Sequence, residues 1–130
     1  MSAVVVGYIP TPEGRAALAR GITEAKLRKA KLVVVNTTRG DSLVDERYVQ
    51  GDGLTALAAE LEQAEVDSEL RQVGDGQDVA ETLETIGNEV DADLIVIGLR
   101  RRSAVGKLIL GSAASRILLT VKQPVLTVKA

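Results

Sequence analysis

The residues best suited to chemistry lie in one short segment, GLRRRSAVGKLILGS, at positions 98–112. Three consecutive arginines and a lysine stand between glycines, and the segment ends in Gly111 and Ser112, just before an apolar helical run. Backbone N–H groups at a helix start favour an anion, and serine and arginine side chains can donate further hydrogen bonds to it. The pattern therefore predicts an anion site, with phosphate as the natural ligand. The alternative is that Gly98 merely ends a strand and Ser112 merely caps a helix.

Positive charge is concentrated in the same part of the chain. The 130 residues carry a net charge of −2, but all 18 acidic residues lie at or before Asp93. Residues 94–130 therefore carry 7 − 0 = +7, and residues 1–93 carry 9 − 18 = −9. This segregation favours a local anion site over an extended nucleic-acid surface. The alternative is that acidic side chains fold back and neutralise the segment.

The composition removes several kinds of catalytic site. The sequence contains neither cysteine nor histidine, so disulfides, thiolate zinc sites and serine–histidine triads are all excluded. Any catalysis would depend on carboxylates, Lys, Tyr, Ser, Thr or a bound magnesium ion. We therefore assign no catalytic residue and no metal ligand, and we expect a binding protein in place of an enzyme.

Three further expectations concern location and partners. No apolar run is long enough to span a membrane, which predicts no membrane partner. The start MSAVVVGYIP lacks the basic residues and long apolar stretch of a signal peptide, which predicts a cytoplasmic protein. The two tyrosines, Tyr8 and Tyr48, offer little stacking surface, so no nucleic-acid partner is expected.

Apolar periodicity predicts strands and helices in strict alternation. The predicted strands are Val4–Val6, Leu32–Val35, Val66–Val73, Asp93–Ile97 and Pro124–Val128. The predicted helices are Thr11–Lys29, a stripe from Leu54 to Ala64, a stripe from Val79 to Val90, and Ser112–Val121; residues 37–50 are predicted as a loop. The pattern is typical of an α/β fold, a single domain over residues 1–130. We expect a five-stranded parallel, doubly wound sheet in the order 3-2-1-4-5, with helices on both faces.

This strand order predicts where a ligand would bind. The switch point lies between the first and fourth strands, and ligands bind there beyond the carboxyl ends of the strands. The loops that meet there follow Gly7, expected to end the first strand, and Gly98, expected to let the chain turn sharply after the fourth. Tyr8 at this crevice either stacks on a base or simply lines the pocket.

The segment VIGLRRRSAVGKLILGSAASRILLTVKQPVLTV, at positions 96–128, resembles the carboxyl-terminal signature of universal stress protein domains. The resemblance extends over nearly the whole chain and includes VVVGY, PEGRAAL, EVDADLIVIG and QPVLTVK. It implies the Rossmann-like, adenine-nucleotide alpha-hydrolase-like fold of that family. It also implies a homodimer that joins through the last strand, about Pro124–Lys129. Many family members bind ATP or AMP, and others do not.

The nucleotide-binding members of this family carry the motif G-x2-G-x9-G-[ST]. Gly98, Gly111 and Ser112 match three of its positions, whereas the middle glycine is replaced by Arg101. These members also usually carry an aspartate where this sequence has Ile9, which can pack on an adenine ring but cannot accept its hydrogen bonds. The resemblance and the crevice together assign the nucleotide site to Gly7, Tyr8, Ile9, Gly98, Arg100, Arg101, Ser103, Gly111, Ser112 and Ala113.

Three functional hypotheses follow. The first is a stress-response homodimer that binds ATP or AMP, with magnesium accompanying ATP and the phosphates held by the Gly98–Ser112 segment. The alternative is a nucleotide-independent dimerisation or protein-interaction module with a vestigial anion site. A nucleotide-hydrolysing enzyme ranks last, with at most a weak ATPase activity, because no general base lies in the predicted crevice.

Overall fold

The computed structural model describes residues 2–37, 52–73, 78–99 and 111–130. Strands and helices alternate through these ranges. In chain order they are β1 (Ala3–Tyr8), α1 (Pro12–Arg28), β2 (Lys31–Thr37), α2 (Asp52–Gln63), β3 (Ser68–Val73), α3 (Val79–Glu89), β4 (Ala92–Leu99), α4 (Ser112–Thr120) and β5 (Val125–Lys129). Arg100, Arg101 and Ser103 lie outside the described residues, as does the predicted loop beyond Thr37.

The five strands form one parallel sheet in the order β3-β2-β1-β4-β5. β1 lies at the centre, where Val6 is paired with Val34 of β2 on one side and with Val96 of β4 on the other. The predicted fold class and strand order are therefore confirmed. The direction of winding reverses between β1 and β4, so the helices that follow these two strands, α1 and α4, lie on opposite faces of the sheet and leave a crevice at the carboxyl ends of the strands.

The central strands are apolar without interruption because helices cover both faces of the sheet. Val4, Val5 and Val6 are completely buried, although successive side chains of a strand point to opposite faces. One core cluster combines strand residues with Leu18 of α1 and Leu57 of α2. The other combines strand residues with helix residues of α3 and α4. In the described part of the chain, the sheet is thus a middle layer with two helices on each side.

Helix α1 begins where the sequence predicts. The Thr11 side chain accepts a hydrogen bond from the Gly14 backbone N–H at 3.1 Å, and Pro12 stands at the first helical position. The helix ends at Arg28 and is followed by the capping residue Lys29, which has a left-handed conformation (φ 54°) and donates its N–H to carbonyl groups of the last turn. Among the helices that the structure describes, none is both long and apolar enough to cross a membrane.

The two glycines expected to end strands do not do so. Gly7 lies inside β1 and Gly98 lies inside β4, where it is paired with Val128 of β5. The predicted sharp turn at Gly98 is therefore wrong. A Cβ atom at this position would lie 2.0 Å from the carbonyl oxygen of Glu13 in α1. Glycine is required there because the first turn of α1 rests directly on the β4 backbone.

Candidate functional site

A cleft of about 140 Å³ opens at the carboxyl ends of β1 and β4, where the winding of the sheet reverses. Its walls come from the ends of these two strands and from α1, α3 and α4. Ligands of parallel α/β sheets bind at this place because the loops on either side of the switch point separate there. The cleft therefore lies at the position that the strand order predicts for a ligand site.

The floor of the cleft is apolar and owes part of its depth to Gly7. Val35 of β2 and Ile97 of β4 flank it, and Leu83 of α3 covers it. A Cβ atom built on Gly7 would lie 3.5 Å from Ile97 Cγ2 and 3.5 Å from Leu83 Cδ1, which is ordinary van der Waals contact. An alanine would fit without strain at this position, so the absent side chain leaves space that a ligand can occupy.

One end of the cleft is formed by the amino terminus of α4. Ala113 and Ala114 line the cleft, and Gly111 is the N-cap residue, with no side-chain hydrogen bond capping the helix. By contrast, α1 is capped by Thr11 and α3 by Asp78. No described side chain therefore caps the first N–H groups of α4, which makes them candidate donors to a ligand, and the helix dipole makes this end favourable for an anion.

The opposite wall is the first turn of α1, which packs unusually closely on its neighbours. A Cβ atom at Gly14 would lie 1.8 Å from the carbonyl oxygen of Ile9, and one at Gly98 would lie 2.0 Å from that of Glu13. Both distances are far shorter than real contacts. Two glycines thus bring Ile9 and Glu13 to the cleft, where both residues line the wall. The expectation that no general base lies in the crevice is therefore wrong, because Glu13 is a carboxylate and can act as a base.

Tyr8 lines the cleft at the end of β1, but its side chain packs elsewhere. The residue is almost completely buried in the core cluster that contains α1 and α2, on the opposite face of the sheet from α3 and α4. Its hydroxyl accepts a hydrogen bond from Arg15 Nη1 at 3.4 Å. The stacking of Tyr8 on a base, which the sequence left open, does not agree with this placement.

Asn36 is a buried polar residue at the same edge of the sheet that sequence reasoning missed. Its side chain is fully buried, with Nδ2 donating to the Tyr8 carbonyl at 3.0 Å and Oδ1 accepting from Gln72 Nε2 at 3.2 Å. These bonds tie the carboxyl ends of β1, β2 and β3 together. A signal was present, since a polar residue directly follows the apolar run LVVV at a strand end.

An ion pair joins the two helices on the α3–α4 side of the cleft. Arg116 of α4 donates to the carboxylate of Asp78, which caps α3. The N–H of Ala80, and then Arg116, hold the pKa of Asp78 below its ordinary value. The next residues in the chain, Val79 and Ile117, line the cleft, so the pair helps to set the distance between its two helical walls.

The predicted site residues divide into three groups in the structure. Gly7, Tyr8, Ile9, Gly98 and Ala113 are brought together around the cleft. Gly111 and Ser112 are the N-cap residue and the first residue of α4, and both are exposed at the amino-terminal end of that helix. The two arginines and the serine predicted at positions 100, 101 and 103 lie outside the described residues. Within the described ranges, no group of three or more potential metal ligands is present.

Comparisons with known proteins agree with this architecture. The family model of the universal stress protein family matches residues 1–129. A universal stress protein of Mycolicibacterium smegmatis is 47% identical over 126 residues, which are 97% of this chain and 96% of that protein. The structure of a universal stress protein from Archaeoglobus fulgidus has a TM-score of 0.79 at 29% identity, covering 99% of this chain and 98% of that one. A universal stress protein crystallised in complex with cAMP has a TM-score of 0.69 at 25% identity, covering 98% and 96%.

Proposed function

The chain belongs to the universal stress protein family, and from this premise we propose that its cleft binds an adenine nucleotide, ATP or AMP. The observation that carries the proposal is an apolar cleft at the switch point that ends at the uncapped amino terminus of α4. A base and a sugar suit apolar walls, and a phosphate suits a helix terminus. The relative crystallised with cAMP supports the same ligand class.

The phosphates are proposed to lie at the start of α4. The free N–H groups of its first turn, together with the Ser112 hydroxyl, supply neutral donors. Arg100, Arg101 and Ser103 are proposed to add donors from the segment that precedes this helix, as the sequence predicts. Magnesium that accompanies ATP is usually held by phosphates, water and one or two carboxylates, so the phosphates would supply much of its coordination.

The volume of the cleft limits how much of the proposed ligand the described residues can enclose. Ligand pockets usually measure about 300–1,000 Å³, and this cleft measures about 140 Å³. In this proposal the described walls enclose only part of the nucleotide. We propose that the remainder is bound by the segment at positions 100–110, which connects β4 to α4.

A side chain that fills the cleft should weaken nucleotide binding. Ala113 is exposed and lines the cleft, so Ala113→Leu adds bulk there without crowding the core. Ala19→Leu, at an exposed position of α1, is the matched control. Overpacking by a leucine costs about 1–3 kcal/mol, which weakens AMP binding by roughly ten- to a hundredfold. Calorimetric titration should show this loss for Ala113→Leu alone, whereas equal affinities of the two variants would contradict the proposed site.

We further propose that the protein is a cytoplasmic stress-response homodimer that joins through β5. β5 is an edge strand of the described sheet, and residues Val125–Val128 are only half-buried. Exposed strand edges readily pair with a second chain. Thr127→Lys places like charges together across such an interface, and Ser68→Lys in the other edge strand, β3, is the control. Sedimentation equilibrium should show a dimer that the β5 variant weakens and the β3 variant does not; a wild-type monomer would contradict this assembly.

A further inference from the structure

Glu13 stands apart chemically from the rest of the cleft. It is the one charged residue among the described residues that line the cleft; the others are glycines, alanines, larger aliphatic residues and Tyr8. The Tyr8 hydroxyl bonds Arg15 on the other face of the sheet, and Ile9 beside Glu13 has no polar side-chain atom. Within the described wall, a charged hydrogen-bond acceptor for a ligand can therefore come from Glu13 alone.

The backbone places the Glu13 side chain at this wall. Glu13 is half-buried in the first turn of α1, and a Cβ atom built on Gly98 would lie 3.0 Å from Glu13 Cβ. The side chain thus begins beside the β4 residue that also lines the cleft. Because Gly98 has no side chain of its own, nothing at that position separates Glu13 from the crevice.

The contacts within the fold leave this carboxylate without an assigned role. Glu13 makes no side-chain hydrogen bond or ion pair with another described residue, unlike Glu24, Glu60, Glu69 and Glu89, which form ion pairs. Other described glutamates such as Glu81 are also unpaired, but among the unpaired ones Glu13 alone lines the cleft. An acidic residue in the first turn of a helix stabilises the helix through its dipole. That role needs only a negative charge near the helix terminus, and it does not account for the position of Glu13 on the wall of the cleft.

We propose that Glu13 accepts hydrogen bonds from the ribose hydroxyls of the bound nucleotide, so that the site selects ribonucleotides over 2′-deoxyribonucleotides. This inference rests on the proposed nucleotide function. A carboxylate accepts hydrogen bonds and does not donate them, and a ribose offers two hydroxyl donors without negative charge. An acidic side chain fulfils the same role towards ribose in dinucleotide-binding sheets.

The charges at the two ends of the cleft determine the orientation of the ligand. The positive end of the α4 dipole attracts the phosphates, whereas Glu13 repels them. A nucleotide with its phosphates at Ala113 and its ribose at Glu13 satisfies both groups. The reverse orientation would place phosphate against a carboxylate.

The test is a comparison of AMP with 2′-deoxy-AMP by calorimetric titration. Glu13→Ala removes the acceptor, and Glu13→Gln keeps an acceptor oxygen without the charge. Glu81→Gln is the matched control because Glu81 is acidic and lies in the first turn of α3, outside the cleft. Hydrogen bonds to charged groups are worth more than neutral ones, so the wild type should prefer AMP by about ten- to a hundredfold. The preference should fall to a few-fold in Glu13→Gln, disappear in Glu13→Ala and persist in Glu81→Gln.

Other outcomes separate this inference from the proposed function. If the wild type binds both nucleotides equally, or if Glu13→Ala retains the preference, the role of Glu13 is overturned and nucleotide binding stands. If the wild type binds neither nucleotide, the proposed function fails and this inference fails with it. Thermal unfolding of each variant checks that the fold is intact. A dipole role alone would lower the stability of Glu13→Gln and Glu81→Gln to a similar degree and leave ligand selectivity unchanged.

Discussion

Replacing Gly98 with alanine should destabilise the fold, although Gly98 belongs to a motif associated with phosphate binding. The added Cβ atom would lie 2.0 Å from the Glu13 carbonyl oxygen and 2.5 Å from its carbonyl carbon. Normal contacts between such atoms are about 3.5 Å or longer, so α1 or β4 must move by more than about 1 Å. Overpacking of this kind costs about 1–3 kcal/mol. The alanine variant also has a lower entropy in the unfolded state, which offsets only about 0.4–1 kcal/mol of this loss of stability.

The matched control is Gly111→Ala, at another glycine of the same motif. No atom lies within 4 Å of a Cβ built there, and φ of −68° is accessible to any residue. Alanine is a poorer N-cap residue than glycine, which destabilises the fold, but it also lowers the entropy of the unfolded chain, which stabilises the fold. The net change in the free energy of unfolding should therefore stay within about 1 kcal/mol. The net cost of Gly98→Ala is about 0.6–2 kcal/mol, so thermal unfolding followed by circular dichroism should show a fall in Tm of about 2–8 °C. Equal melting temperatures of the two variants would refute the steric argument.

Two further predictions concern polar contacts. Asn36→Leu leaves the Tyr8 carbonyl and the Gln72 amide without this buried partner, so it should lower the free energy of unfolding by about 1–3 kcal/mol; an unchanged urea midpoint would contradict that role. The pKa of Asp78 is lower in the folded protein, so the stability that its contacts contribute is present above its unfolded pKa and is lost as the pH falls below about 4. The destabilisation caused by Arg116→Ala should therefore be largest near pH 7 and should shrink as the pH falls below about 4, and an effect of constant size across this range would count against the ion pair.

The fold was predictable because its strongest determinants are local in the chain. The run Val4–Val6 indicates a strand buried on both faces, and the pair Thr11 and Pro12 indicates where a helix begins. Alternation of such elements restricts the possible sheets to a few. Exact strand ends were less predictable. Gly98 looks like a turn residue in the sequence, and only the folded structure shows that it is needed for contact with Glu13, a residue far away in the chain.

The position of the candidate site was predictable, whereas its walls were predictable only in part. Strand order alone places a crevice beside Gly7 and Gly98. The sequence does not show which residues of a helix face that crevice, so Glu13 and Leu83 were missed. Asn36 was missed because its partners, the Tyr8 carbonyl and Gln72, become neighbours only when three strands align. The contributions assigned to the arginines at positions 100 and 101 and to Ser103 stay predictions.

The central claim is that the cleft between β1 and β4 binds an adenine nucleotide. The most direct test is calorimetric titration of the wild-type protein with ATP, AMP and inorganic phosphate, with and without magnesium. We predict that ATP or AMP binds with a dissociation constant in the micromolar range and that phosphate alone binds far more weakly. Binding of phosphate as tight as that of the nucleotides would leave an anion site without recognition of the nucleoside. The absence of heat with all three ligands would contradict the claim and favour a nucleotide-independent interaction module.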